Sequence, residues 1–181
     1  MKKLLVAVLA LTTVSAFAQK SLITFGSFGD AGNSGTFDVS NSTEDKNDTS
    51  TTNVMVNYTY AISDSFMAGV KVGNYAQGDT SVANYTTTGV QFYYNLDGTV
   101  NDTCYVGLHY TMKDMDTDDK TTTTALEYGH RFAVGSWKGF NLAFSPSISY
   151  SMATTDYDLA SKDDLKETSL SWNWIKFDVL F

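Results

Sequence analysis

Seven residues of this 181-residue chain have the types and positions for chemistry inside a protein wall: Lys71, Gln91, His109, Glu127, Arg131, Lys176 and Asp178. Each falls on the small, polar side of an alternating run whose other side is large and apolar. Arg131 is the only arginine in the chain. Alternation makes the predicted inward set the glycines, the serines and these polar groups, because successive side chains of a strand point to opposite faces. A charge taken out of water is costly unless it is paired. Arg131 and Lys176 are therefore expected to pair with Glu127 and Asp178. They would meet across the run between them, whose inner face is Ala143 and the serines 145, 147, 149 and 151. The chemistry implied is first of all the packing of a polar interior. A path for protons or ions is the functional alternative, since polar networks of this kind can carry them.

Other residues come close to a reactive pattern and fall short of it. His109-Tyr110-Thr111, with Glu127 on a neighbouring run, is the nearest approach to a lipid-modifying site. No serine lies two residues after either histidine, and no complete triad is legible. No residue is therefore expected to be catalytic. His130 is expected on the opposite, apolar face as part of an aromatic girdle. Cys104 is the one cysteine, which rules out an internal disulfide, and it reads as a small apolar side chain. Asp114, Asp116, Asp118 and Asp119 begin like a calcium loop, but the following glycine is missing and the twelfth position is Ala125. A solvated acidic loop is the better reading. Residues 26–35 are glycine-rich without phosphate-loop spacing. No cofactor and no metal are expected.

The elements that must position these residues are strands. Period-2 alternation, not helical periodicity, recurs after residue 18, in a composition dominated by Thr, Tyr, Val, Phe and Ser. Eight segments are predicted: 21–28, continuing past Gly29 toward Val39, then 53–61, 66–75, 87–95, 103–113, 122–134, 140–152 and 169–181. In the last, Ile175, Phe177, Val179 and Phe181 are set against Trp174, Lys176, Asp178 and Leu180. The single proline, Pro146, falls mid-strand and cannot donate to a ladder, so a bulge is expected there. Connections alternate. Those at 62–65, 96–102 and 135–139 are tight, whereas those at 29–52, 76–86, 114–121 and 153–168 are longer or very polar.

Short turns on one side and long loops on the other are the pattern of transmembrane barrels, and strands of about ten residues cross a bilayer. Side-chain volume agrees. Putting Val, Leu, Ile, Phe and Tyr inward would overfill an eight-stranded barrel, whereas glycines and serines suit its narrow lumen. Aromatic residues also sort by height. Tyr58, Tyr60, Phe66, Tyr94, Phe132, Phe140 and Phe181 lie toward the tight turns, and Tyr110 and Tyr150 toward the other end, as two girdles would.

The first 18 residues read as a signal peptide: Lys2 and Lys3, an apolar run from Leu4, and Ala16-Phe17-Ala18 before the cut. The apolar run is too short to span a bilayer, and Gln19 at the cut speaks against a lipoprotein. Residues 19–181 then form one barrel domain. Losing two lysines takes the formal charge from −8 to −10, which excludes nucleic acid as a partner.

Ile175, Phe177, Val179 and a terminal Phe181 resemble the assembly signal of outer-membrane proteins, with Asn173 departing from its apolar pattern. Together with the eight segments and the leader, the chain resembles the small outer-membrane β-barrels of the OmpA/OmpX type. That resemblance implies an eight-stranded antiparallel transmembrane up-and-down barrel in the bacterial outer membrane. It implies lipid, lipopolysaccharide and the outer-membrane assembly machinery as partners, and a monomer. The expected role is structural, or surface contact through the loops. A narrow pore for ions or small solutes is the alternative, and a lipid-modifying barrel enzyme a third. The reading predicts that N-terminal sequencing of membrane-embedded protein finds Gln19 first and not Met1.

Overall fold

The structure, a computed structural model, describes residues 21–25, 37–44, 47–77, 84–117, 119–157 and 164–181. The expected leader and cleavage point, the glycine-rich stretch and Asp118 lie outside the described residues. All regular elements among the described residues are strands: β1 Ser21–Phe25, β2 Phe37–Glu44, β3 Asn47–Ala61, β4 Phe66–Gln77, β5 Tyr85–Asn95, β6 Thr103–Met115, β7 Lys120–Trp137, β8 Phe140–Phe144, β9 Ser147–Asp156, β10 Leu165–Asn173 and β11 Phe177–Leu180.

Eight of them close into a ring. Antiparallel pairing runs β1–β3–β4–β5–β6–β7–β8–β11 and returns from β11 to β1. The other three strands lengthen members of that ring. β2 follows β1 along β3, while β9 and β10 extend β8 and β11 toward the long loops. This is the closed eight-strand antiparallel barrel that the alternation predicted. Within the ring every strand has two neighbours, and Phe181 is itself stitched in: Ser21 N–H donates to the Phe181 carbonyl at 2.9 Å and Phe181 N–H to the Ser21 carbonyl at 2.9 Å. The tight turns lie at one rim. The tightest joins β7 to β8 through Lys138 (φ 47°) and Gly139 (φ 89°), two left-handed residues of the kind a two-residue hairpin needs.

The proline behaves differently from expectation. Ser145 and Ser147 both stay inward across Pro146, so its own strand keeps its alternation. The irregularity sits on the neighbour. Between the pairs Asn173↔Ser147 and Phe177↔Phe144, the last strand spends Trp174, Ile175 and Lys176 against Ser145 and Pro146. Pro146 has no N–H to give that neighbour; the Ser145 N–H reaches the Lys176 carbonyl instead, at 2.7 Å. The extra residue shifts the parity. Asn173 and Lys176 both point inward, and Trp174 and Ile175 both point outward, 65% and 44% exposed. This corrects the placement of Trp174 beside Lys176. It also accounts for Asn173 within an otherwise apolar C-terminal pattern.

Large and small residues alternate around the lumen. One rung carries Tyr93, Gly107, Glu127, Ser149 and Ser171; the next carries Tyr105, Gly129, Ser147 and Asn173. The two tyrosine rings meet edge to face at 5.5 Å, and each lies over the glycine beside it. A Cβ on Gly129 would stand 2.5 Å from the Tyr105 hydroxyl, and one on Gly107 2.8 Å from the Tyr93 ring. Gly129→Ala is therefore expected to lower stability by about 1–3 kcal/mol, as overpacking does. Urea unfolding of the refolded barrel measures it, and Gly135→Ala, where a Cβ meets nothing within 4 Å, is the control.

Candidate functional site

The seven inward candidates are all buried in the lumen, Lys71, Glu127 and Arg131 at 2%, 4% and 1% exposure. The barrel brings them together as two charge clusters with the tyrosine pair between them. In the first, Lys176 Nζ lies 2.6 Å from Glu127 Oε1 and donates to the Tyr105 hydroxyl at 3.0 Å. Tyr105 in turn donates to Glu127 at 2.9 Å, and His109 Nε2 lies 2.7 Å from the other carboxylate oxygen. In the second, Arg131 Nε donates to Asp178 Oδ2 at 3.2 Å and Nη1 to Asn95 Oδ1 at 2.8 Å. Asp178 also accepts from Ser145 at 2.6 Å and from Thr24 at 2.7 Å.

Each charge of the two clusters thus has an opposite charge and further donors or acceptors, the condition under which burial is tolerated. The tyrosines join the clusters through cation–π contacts. The Arg131 guanidinium lies 4.4 Å from the centre of the Tyr105 ring, and Lys176 Nζ lies 5.8 Å from that of Tyr93. The arrangement can hold a lumen shut.

The remaining candidates line the wall. Gln91 donates to Thr59 Oγ1 at 2.6 Å. Lys71 stands on β4 between Asn57 and Gly89 of the neighbouring strands. Toward the long loops the lumen opens into a cavity of about 600 Å³, bounded by Tyr85, Thr111, Lys113, Thr123, Ser151 and Glu167. Ile175, Phe177, Val179 and Phe181, the residues expected to form an assembly signal, face outward on or beside β11: Phe177 packs on Phe144 with ring centres 5.6 Å apart, and Phe181 on Phe140 at 5.9 Å.

Sequence reasoning missed several members of these clusters. Tyr93, Asn95 and Tyr105 carry the inward parity of Gln91 and His109, so the signal existed, but polar aromatics and amides are also ordinary on a wet surface. Thr24 reaches Asp178 only because β1 and β11 close the ring, a pairing with no local trace. A second group was missed on the outer face. Cys104 Sγ lies 3.0 Å from His130 Nδ1, and His130 Nε2 lies 3.0 Å from Asp102 Oδ1. Cys104 is therefore a hydrogen-bonded thiol, and His130 is its partner as well as a neighbour of the Phe132 ring at 4.1 Å. Counting residues through the tight β-ladder would have paired Cys104 with His130.

Because Arg131 and Asp178 meet directly, Arg131→Ala is expected to cost about 3–5 kcal/mol by stranding a buried carboxylate. Adding Asp178→Asn should recover part of that loss, whereas Glu127→Gln should recover less. A double-mutant cycle on urea unfolding reads the difference. Additivity with Asp178→Asn would show that the pair contributes nothing.

Comparison with protein-family models, curated proteins and solved structures finds no match, so what the site does is argued from its geometry.

Proposed function

We propose that the mature chain is a small outer-membrane barrel of a Gram-negative envelope, with a plugged lumen, and that it serves as a structural element presenting its long loops for surface contact. The observation that carries this reading is the inverted polarity of the wall. Leu126, Val72 and Leu170 are 54–60% exposed on the outer face, while Lys71, Glu127, Arg131, Lys176 and Asp178 are sealed inside. Water would penalise that outer face; hydrocarbon would not, and closure satisfies the backbone where no water can. The aromatic residues support it too. Tyr60, Phe66, Tyr94, Phe132 and Phe140 are outward near the tight-turn rim, and Tyr110 and Tyr150 are outward toward the other end. A leader peptide and the C-terminal aromatic pattern fit the same destination. Lipid and lipopolysaccharide would surround the wall, and the assembly machinery would read the last strand.

A narrow pore for ions or small solutes is the second reading. It is favoured by four buried polar atoms, Asn57 Oδ1, Thr87 Oγ1, Gln91 Oε1 and His109 Nδ1, that have no hydrogen bond among the described residues. Such groups suit a hydrated lane. The ion pairs below them oppose it.

The barrel reading predicts heat-modifiable migration on gels and insertion into vesicles. Planar-bilayer recordings separate the two functions. The plugged barrel should show no steady conductance, and Tyr93→Ala with Tyr105→Ala should open one by emptying the rungs between the clusters. Steady conductance of the unmodified protein would favour the pore.

A further inference from the structure

The outer-face group is more than a surface hydrogen bond. The His130 ring stands between a thiol and a carboxylate, each 3.0 Å from one of its nitrogens. Asp102 accepting from Nε2–H fixes the tautomer that leaves Nδ1 free to take the thiol proton. Nucleophile, base and orienting acid within hydrogen-bond reach are the parts of a covalent acyl-transfer site. The barrel makes this geometry firm. Cys104 and His130 are direct cross-strand partners on β6 and β7. The turn carrying Asp102 is tied down by Asp97, whose Oδ2 accepts the Cys104 N–H at 3.3 Å and the Thr103 hydroxyl at 3.4 Å. None of the three is buried in the core. The side chains of His130 and Asp102 are 31% and 64% exposed, and Cys104 is half-buried.

We propose that Cys104, His130 and Asp102 form a thiol nucleophile site that cleaves acyl esters of membrane lipids. This goes beyond a structural barrel and rests on the membrane reading. On that reading Cys104 lies where the apolar wall of Val106, Tyr128 and Phe132 ends and Asp102 meets water. Lipid ester carbonyls sit at that same boundary between acyl chains and headgroups.

The chemistry balances with no cofactor. His130 Nδ1 takes the thiol proton and the Cys104 thiolate adds to the ester carbonyl carbon. The ester C–O bond breaks, and His130 returns its proton to the departing glycerol oxygen. The products are a Cys104 thioester and a lysolipid. Water then gives a proton to His130 and adds to the thioester. The C–S bond breaks, the sulfur recovers the proton, and the fatty acid leaves. Cys104 and His130 are the catalytic residues, and Asp102 is a positioning residue.

Two readouts on the refolded full barrel test this. At about pH 7 an unassisted cysteine is mostly thiol, so iodoacetamide should alkylate folded protein about tenfold faster than the same chain in urea. His130→Gln should erase that advantage. Asp102→Asn should reduce it and move the pH profile of alkylation, which a merely structural loss would not do. In phosphatidylethanolamine vesicles the protein should release lysolipid, and Cys104→Ala should release none. Alkylation no faster when folded than unfolded, or lysolipid no higher than for Cys104→Ala, overturns the site. Heat-modifiable migration is read on the same samples. A barrel that inserts and yields no lysolipid keeps the membrane reading and loses the site; a chain that does not insert loses both.

Discussion

Closure with eight strands is the constraint on which everything else in this molecule depends. A ring of that size has an interior of set width, only just large enough to fill with side chains. Nothing inside can be added without something opposite being taken away. Tyr93 and Tyr105 lie across the lumen only because Gly107 and Gly129 face them. The same narrowness puts Arg131 within reach of Asp178, and Lys176 within reach of Glu127, from different strands. Pairing then follows from electrostatics, since charges buried that close together are stable only with partners.

The break at Pro146 shows how one residue's chemistry spreads through such a ring. A missing N–H on one strand is met by an extra residue on the next. That residue changes which side chains face inward, and Lys176 enters the lumen at the height of Glu127 as a result. With uninterrupted alternation along the last strand, Asn173 and Lys176 could not both face the interior. The bulge is thus part of the plug, although it lies in the backbone of a strand whose side chains otherwise look regular.

The outer wall follows a separate logic. Its residues are large, apolar and exposed, and its aromatic members pack on one another around the tight-turn rim, as Phe132, Phe144 and Phe177 do. On that rim Cys104, His130 and Asp102 are linked by hydrogen bonds on the outer face. They are set by a cross-strand pair and a short turn, which place three side chains together without a cleft.

Alternation and turn chemistry were enough for the sequence by itself to determine the eight-strand antiparallel order and most inward and outward faces, because the side-chain period of a strand is local and tight turns leave local traces; that strand extends into the expected 29–52 connection, as β2 and the start of β3, was not legible. The inward parity of Lys71, Gln91, His109, Glu127 and Arg131 was legible for that reason. Which carboxylate each cation meets was not, since Asp178 and Glu127 were equally available to Arg131 until the ring closed. The parity of Trp174 was misread, because a bulge caused by a proline on a neighbouring strand leaves no mark in its own segment. Cys104, His130 and Asp102 looked unrelated, being separated by up to 28 residues. Only tertiary structure decides such matters: register, shear and closure are properties of pairs of strands, and no single strand's sequence contains them.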